Sequence, residues 1–486
     1  MEANTKQEEL LDLYREMGAS KFGILGQLKS GTKAKSLRDD YTKEDIKEWF
    51  LNPEKYEKEL RDLSRYLYIS KGIHYTSINF YTNLPTLDYN IVPMFYDFSE
   101  KAKPSILNSK QKVAGYCDDV LDKSVVRSII KAVLKDNCYY GYEIQSGQSY
   151  YLQRLPNDFC REGQLVNGLP SIEFDFKFFD GQEDRVEFYP SEFKSKHEAY
   201  KEDRKLQWQR LNHNYTMCIP LETDDFNFPA LTGIFDDLLD LDDYYKYMKE
   251  TTALDTEKVV VQRPTMNEDT GEMLVEPDVV QFFQTALASV FDDRFKVVST
   301  PFALDTIDFT KNKMSNSGFD GVEKMKMATW NGTGIAKPVF GETDSASGLK
   351  VNYEINASYV FAIIEKLERW LKQRLPKIST KKYPFKVEFL RTTNVYRKDT
   401  FDMHYKLLSV GGALSPLISS MGMSPESYVK ILQMENLEGI KDHLHIPDSM
   451  FTSSPDDDKK GGAPKSSDDE IGDAGEQTRD DDGNVR

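Results

Sequence analysis

Asn331-Gly332-Thr333-Gly334-Ile335-Ala336-Lys337-Pro338-Val339-Phe340-Gly341-Glu342-Thr343-Asp344-Ser345-Ala346-Ser347-Gly348 is a polar, glycine-rich stretch, and the residues after it are neither. From Tyr353 to Leu375 there is no glycine and no proline. Apolar residues recur at Ile355, Tyr359, Val360, Ile363, Ile364, Leu367, Trp370, Leu371 and Leu375. Steps of three and four put them on one stripe of a 3.6-residue helix. Glu365, Lys366, Glu368, Arg369 and Lys372 fill the other face, and Pro376 is expected to stop the helix. The stretch therefore predicts a long loop held by a long rigid helix. Alone, it fits an ordinary surface loop ahead of a core helix equally well.

At 486 residues the chain has room for roughly two to four domains. Its formal charge of −17 argues against tight, sequence-independent gripping of phosphates, which needs a basic surface. Contact with DNA stays open. Cys117, Cys138, Cys160 and Cys218 form no CxxC pair and read as reduced, small apolar residues of a cytosolic protein, without a zinc or redox signature. Met1 to Met17 is charged and lacks an apolar segment, so no signal peptide is expected. No apolar run is long enough to predict a transmembrane helix.

In chain order, Glu8–Tyr14 and the segment opening at Thr42 read as helices, the second with Glu44 and Asp45 in its first turn. Tyr56 to Ser70 is helical and continues through Gly72, Pro85 breaks it, and Leu87, Tyr89 and Ile91 alternate as a strand does. His74 among these aromatics reads as packing. Asn108 to Asn137 is helical. Cys138–Ile144 and Ser149–Leu155 make an antiparallel pair about the turn 145–148, and Ile172–Phe176 and Tyr215–Pro220 are further strands. Phe228 to Leu254 is a helix with Pro229 in its first turn. Residues 256–312 read as a small α/β insert: strand Lys258–Arg263, a turn, the return Met273–Val275, a helix Asp278–Phe291 and strand Phe295–Ser299. Phe319 to Trp330 is a helix. After Pro376 come strand Phe385–Leu390, helix Asp399–Ser409, and a helix capped by Ser424 with Pro425 at its first position. From Pro455 the chain carries eleven acids and five bases and no aromatic residue, the composition of a disordered tail.

Catalytic signatures are weak. Gly26 to Lys33 misses a phosphate-binding loop because Lys33 does not follow the second glycine. His443 and His445 share a face only on an extended segment and complete no metal spacing. Asp236, Asp237, Asp240, Asp242 and Asp243 cluster on one helix. They read as a solvated acidic face, or as carboxylates for a metal or for acid–base work.

The order of elements resembles that of the portal (head-to-tail connector) proteins of tailed bacteriophages. Tyr66–Tyr75 through Leu84–Tyr89 is similar to an N-terminal segment of portals from phages of Gram-positive hosts. Tyr139-Tyr140-Gly141-Tyr142 followed by Leu155-Pro156 is similar to their strand pair, Gly334–Gly341 to the turn after their second stem helix, and Asp473–Asp482 to their tails. The resemblance implies an α+β, mainly helical fold divided into wing, stem, clip and crown and assembled as a ring. Residues 1–225 would be the N-terminal wing, 226–255 and 313–330 the stem helices, and 256–312 the clip. Residues 331–352 would be the tunnel loop, 353–399 the long wing helix and strand, 400–450 the C-terminal wing and crown, and 451–486 the acidic tail.

The implied function is a non-enzymatic ring of twelve subunits at one capsid vertex. It nucleates procapsid assembly, docks the terminase large subunit and conducts double-stranded DNA during packaging and ejection. Major capsid or scaffolding protein and a head-completion adaptor are further implied partners, with no cofactor, no metal and no membrane. Lys324, Lys326, Lys337 and Lys350 are the candidate channel cations and Asp236, Asp240 and Asp243 the candidate channel acids. Another capsid-associated connector or adaptor, and a metal-dependent nuclease using those three aspartates, are the alternatives.

Overall fold

The computed structural model describes residues 43–147, 149–222, 228–256, 258–262, 279, 295–299, 314–335 and 346–439. The expected helix at residues 8–14, the Gly26–Lys33 stretch, most of the insert, the His443/His445 pair and the acidic tail lie outside them. The chain divides into two compact units, Met1–Glu426 and Ser427–Arg486. The fold is α+β and mainly helical.

The order begins with helices α1 (Lys43–Leu51), α2 (Glu57–Ser70) and α3 (Gly72–Asn83), then strand β1 (Tyr89–Pro93). Lys71 adopts an extended conformation between α2 and α3, so the expected single helix is two. Helices α4 (Lys103–Val120) and α5 (Lys123–Asp136) replace the continuous helix expected over 108–137. Asp122 makes the break: its side chain accepts from the Ser124 amide at 2.8 Å and caps α5. Strands β2 (Cys138–Ser146) and β3 (Ser149–Arg154) pair antiparallel as expected, with Tyr142 opposite Gln153. Then come β4 (Cys160–Val166), β5 (Leu169–Asp175), α6 (Ser191–Glu202), β6 (Trp208–Arg210) and β7 (Thr216–Pro220). Two three-stranded antiparallel sheets result, ordered β3-β2-β7 and β4-β5-β6.

Helix α7 (Phe235–Thr256) starts later than expected. Ala230 is hydrogen-bonded to the end of α5 and Leu231 takes a left-handed φ of 65°, so Pro229 precedes the helix instead of opening it. Strands β8 (Lys258–Gln262) and β9 (Phe295–Ser299) pair in parallel. Such pairing needs a crossover of about a dozen residues or more, which 263–294 supply. The expected return strand Met273–Val275 lies outside the described residues. Helix α8 (Met314–Gly332) is longer at both ends than expected.

Helix α9 runs from Ala346 to Ile378, so residues 346–352 of the expected loop are helical. Pro376 sits inside its last turn and does not stop it. The N–H that proline lacks would have served the carbonyl of Lys372, and the Ser379 amide donates to the Leu375 carbonyl beyond it. Strand β10 (Phe385–Phe389) pairs antiparallel with β1. Helices α10 (Arg397–Ser409), α11 (Leu414–Ser420) and α12 (Pro425–Glu438) follow.

Helix α9 is the spine of the largest core. Val360, Ile363, Ile364, Leu367, Trp370, Leu371 and Leu375 pack with residues of α3, α4, α5, β2, β7 and β10. The expected stripe holds from Val360 onward; Ile355 and Tyr359 are exposed. The helix also docks through polar atoms: Lys366 donates to the Leu221 carbonyl at 2.6 Å, and the Trp370 indole of the apolar stripe to the Thr216 carbonyl at 2.9 Å. Deeper still, Arg374 forms a two-pronged ion pair with Glu143, which also accepts from the Tyr116 hydroxyl at 2.7 Å. A second core, rich in phenylalanine and centred on Phe174, Phe176, Phe179 and Phe193, lies between the two three-stranded sheets. A third joins α1 and α2 to Ile234, Phe235 and Leu238 at the start of α7.

Candidate functional site

Helices α7 and α8 form an antiparallel pair. Ile234 meets Gly332, Tyr245 meets Lys326 and Tyr244 meets Gly321, so position rises along one helix as it falls along the other. Approach is closest at Gly332, where an added Cβ would stand 2.5 Å from Ile234 Cγ2. Glycine is needed there for space. Phe235 and Leu238 bury the start of α7 in the third core, whereas Asp243, Tyr244 and Lys246 further along are exposed.

Among the candidate acids, Asp243 is exposed and Asp236 and Asp240 are half-buried. Burial, then the charges of Asp236 and Asp240, raises the carboxyl pKa of neighbouring Asp237. The crowding of these neighbouring carboxylates is repulsive. Their spacing of four and three residues aligns them along one side of α7, but their oxygens do not gather into a ligand set; among the described residues the one group of three metal-ligating atoms lies elsewhere, in the sheets.

The candidate cations lie on different elements. Lys324 is exposed on α8. Lys326 is held by Glu323 at 3.4 Å and lies 5.3 Å from the centre of the Tyr245 ring, so it serves the helix pair. Lys350 lies in the first turns of α9, paired with Asp399 at 3.5 Å. Lys337 lies outside the described residues.

The loop after α8 is fastened where it leaves the helix. Gly334 has a left-handed φ of 74°. Its carbonyl accepts from Asn352 at 3.0 Å and Asn356 at 3.2 Å, both on α9. The Tyr81 hydroxyl of α3 donates to the Thr333 carbonyl at 2.7 Å and lies 3.1 Å from Asn356 Oδ1. Ile335 is buried in the main core. Thus α3, α8 and α9 meet at one buried knot, and the chain from 336 to 345 spans from this knot to the start of α9. The knot joins residues far apart in the chain, and its local signals are two asparagines four apart, Asn352 and Asn356.

His74 packs in the third core, 5.6 Å from the Phe235 ring, as expected of a packing residue. Neither of its nitrogens finds a partner. Burial, and secondarily Lys135, lowers its pKa to about 4.

These elements define an α+β chain in which an antiparallel helix pair emerges from a body organised on one long helix. Three solved structures resemble it over most of its length. The virion of a native gene transfer agent particle matches with a TM-score of 0.41 and 11% identity, covering 76% of this chain and 94% of that one. The neck of the empty particle computed with C6 symmetry gives 0.41 and 11%, with 75% and 93% covered. The neck of the native particle computed with C12 symmetry gives 0.39 and 10%, again with 75% and 93% covered. Among curated proteins, the SPbeta prophage-derived uncharacterized protein YonE of Bacillus subtilis (strain 168) is 22% identical over 419 residues, 80% of each chain. No protein-family model matches.

Proposed function

We propose that this chain is a portal-type head-to-tail connector subunit, acting as a ring-forming DNA conduit without a catalytic site of its own. The observation that carries the reading is the α7–α8 pair. Two antiparallel helices leave the body together, the segment 257–313 joins their far ends, and the chain re-enters the body through the Gly334 knot into α9. That is the path expected for stem, clip, stem and tunnel loop. The prophage origin of its relative fits the reading. Exposed Met403, Tyr405, Leu407, Val410 and Leu414 on α10 and α11 give the subunit an apolar surface suited to a neighbouring copy.

The physics suits the role. DNA in transit has to slide, and a wall of cations would bind it through counterion release. Acids along α7, repeated around a ring, keep a duplex centred and mobile. Lys326 and Lys350 are engaged by their own acids, so weak contacts to the duplex fall to Lys324 and to Lys337 in the loop. Twelve copies, terminase docking on the insert, capsid or scaffolding protein at the body and an adaptor at the far end complete the proposal. In the nuclease reading Asp236, Asp240 and Asp243 would have to converge, and their oxygens do not.

Negative-stain images of purified protein are expected to contain rings with a central channel. A monomer stable at all concentrations in light scattering overturns the proposal. Replacing residues 337–344 with a short Gly-Ser linker spares the knot and α9. It is expected to leave rings intact and impair DNA packaging or retention; failure to form rings would assign the loop to assembly.

A further inference from the structure

Three of the four cysteines of this chain, far apart in sequence, sit together in the core between the two sheets. Cys138 on β2 and Cys218 on β7 lie on paired antiparallel strands: Cys138 is opposite Pro220 and Tyr140 opposite Cys218, so the two cysteines are diagonal neighbours on one face. Their sulfurs are 3.7 Å apart. Across the gap between sheets, Cys160 and Glu162 stand two residues apart on β4 and so project from the same face. A carboxylate oxygen of Glu162 lies within 4.8 Å of both the Cys138 and Cys218 sulfurs.

We propose that Cys138, Cys218 and Glu162 form a structural site for a thiophilic divalent cation of the zinc type. The spacing supports it. Two thiolates at about 2.3 Å from a tetrahedral ion stand about 3.8 Å apart, close to the distance already present, whereas a disulfide requires about 2.05 Å. The donor set also fits, two soft sulfurs and one oxygen being a usual zinc environment. Cys160 lies in the same core but outside this group of three, so the fourth position would fall to water or another donor. Glu162 is only partly buried, which gives an entry path from the rim.

The ion would tie β4 to β2 and β7. This inference does not depend on the ring.

The test uses the full-length protein, reduced and stripped with a chelator, then titrated with cobalt(II) and zinc(II). One cobalt per subunit is expected, with a thiolate charge-transfer band in the near ultraviolet and the visible bands of a tetrahedral ion, displaced by zinc. Zinc should raise the melting temperature, and proton release should accompany binding. Cys218→Ser is expected to abolish the charge-transfer band. Glu162→Gln, at the rim where refolding is not at issue, is expected to weaken binding by roughly 10- to 100-fold with the fold intact. Cys117→Ser, buried in a different core, should change nothing. Substoichiometric metal, unchanged affinity in Glu162→Gln, or a Cys138–Cys218 disulfide forming in air in place of metal uptake would overturn the proposal.

Discussion

The body around α9 and the α7–α8 pair are held together by different means. In the body, buried charge is paired on every side. Glu143 meets Arg374 and Tyr116, and Asp136 meets Arg65 and Arg154, each at 2.6 Å. Burial alone would raise the Asp136 carboxyl pKa, yet Lys135, Arg65 and Arg154 hold it well below its usual range. Such groups fix one arrangement, because a shift that breaks one pair strands a charge in low dielectric. Among the described residues, the α7–α8 pair is held by a glycine approach, a cation over a ring, buried Leu241 and Val322, and the third core at the start of α7.

The largest effect is expected in the body. Glu143→Ala leaves the Arg374 guanidinium buried without its carboxylate and should cost roughly 3–5 kcal/mol in chemical denaturation. Exchanging both partners, Glu143→Leu with Arg374→Met, should recover most of that loss, since the cost comes from a stranded charge. If the single variant is mild, the body is not the rigid half.

Next in size is the junction between the two regions, through His74. Its folded pKa of about 4 lies below the unfolded value of 6.5. Folding therefore favours the neutral form, so the contribution is fully present above pH 6.5 and is lost as pH falls toward 4. Over that window the loss is on the order of 3 kcal/mol. His74→Phe, which keeps the contact with Phe235, should flatten the stability profile between those limits while leaving stability at pH 7 near its original value. An unchanged slope would assign the acid sensitivity to other groups.

Much of this was legible in the chain itself. The strand pair 138–154, β10, α9 from Val360 to Leu375 and the four-residue spacing of acids on α7 follow from period and turn chemistry, which are local. The missed breaks were local too. Asp122 followed two residues later by Ser124 is a capping signal masked by the apolar period on both sides, and Lys71 divides α2 from α3 without glycine or proline at the break itself. What no local pattern carries is pairing at a distance. Glu143 and Arg374 are 231 positions apart, and Cys138 and Cys218 are 80 apart on neighbouring strands, so neither spacing matches a motif. Pro376 shows the converse: a strong local stop signal yields when burial of Leu375 and Arg374 holds the turn in place.

Within the helix pair the effect should be smaller. Gly332→Ala pushes a methyl to within 2.5 Å of Ile234 Cγ2, and relief requires α8 to slide or Ile234 to change rotamer. About 1–3 kcal/mol is expected, read as loss of α7–α8 protection in hydrogen exchange with the body unaffected. Ile234→Leu in the same background, which removes the γ2 methyl, should return part of it. Body and pair losing protection together would show that the two regions are one cooperative unit.

The smallest expected change is the most specific. Tyr81→Phe removes one hydroxyl, and with it the bond to the Thr333 carbonyl and the contact with Asn356 Oδ1. The ring keeps its place against Tyr359, 5.8 Å away, so the global loss should be about 1 kcal/mol. Locally the consequence is larger. The Thr333 carbonyl loses its donor, and the Gly334 turn is left to Asn352 and Asn356 alone. Limited proteolysis should then cut between 336 and 345 sooner than in the parent chain, with cutting elsewhere unchanged. Asn356→Asp, which withdraws the donor to the Gly334 carbonyl, should do the same by an independent route. Equal cutting rates in all three proteins would mean that Ile335 anchors the loop by burial alone, and that the polar knot only orients it.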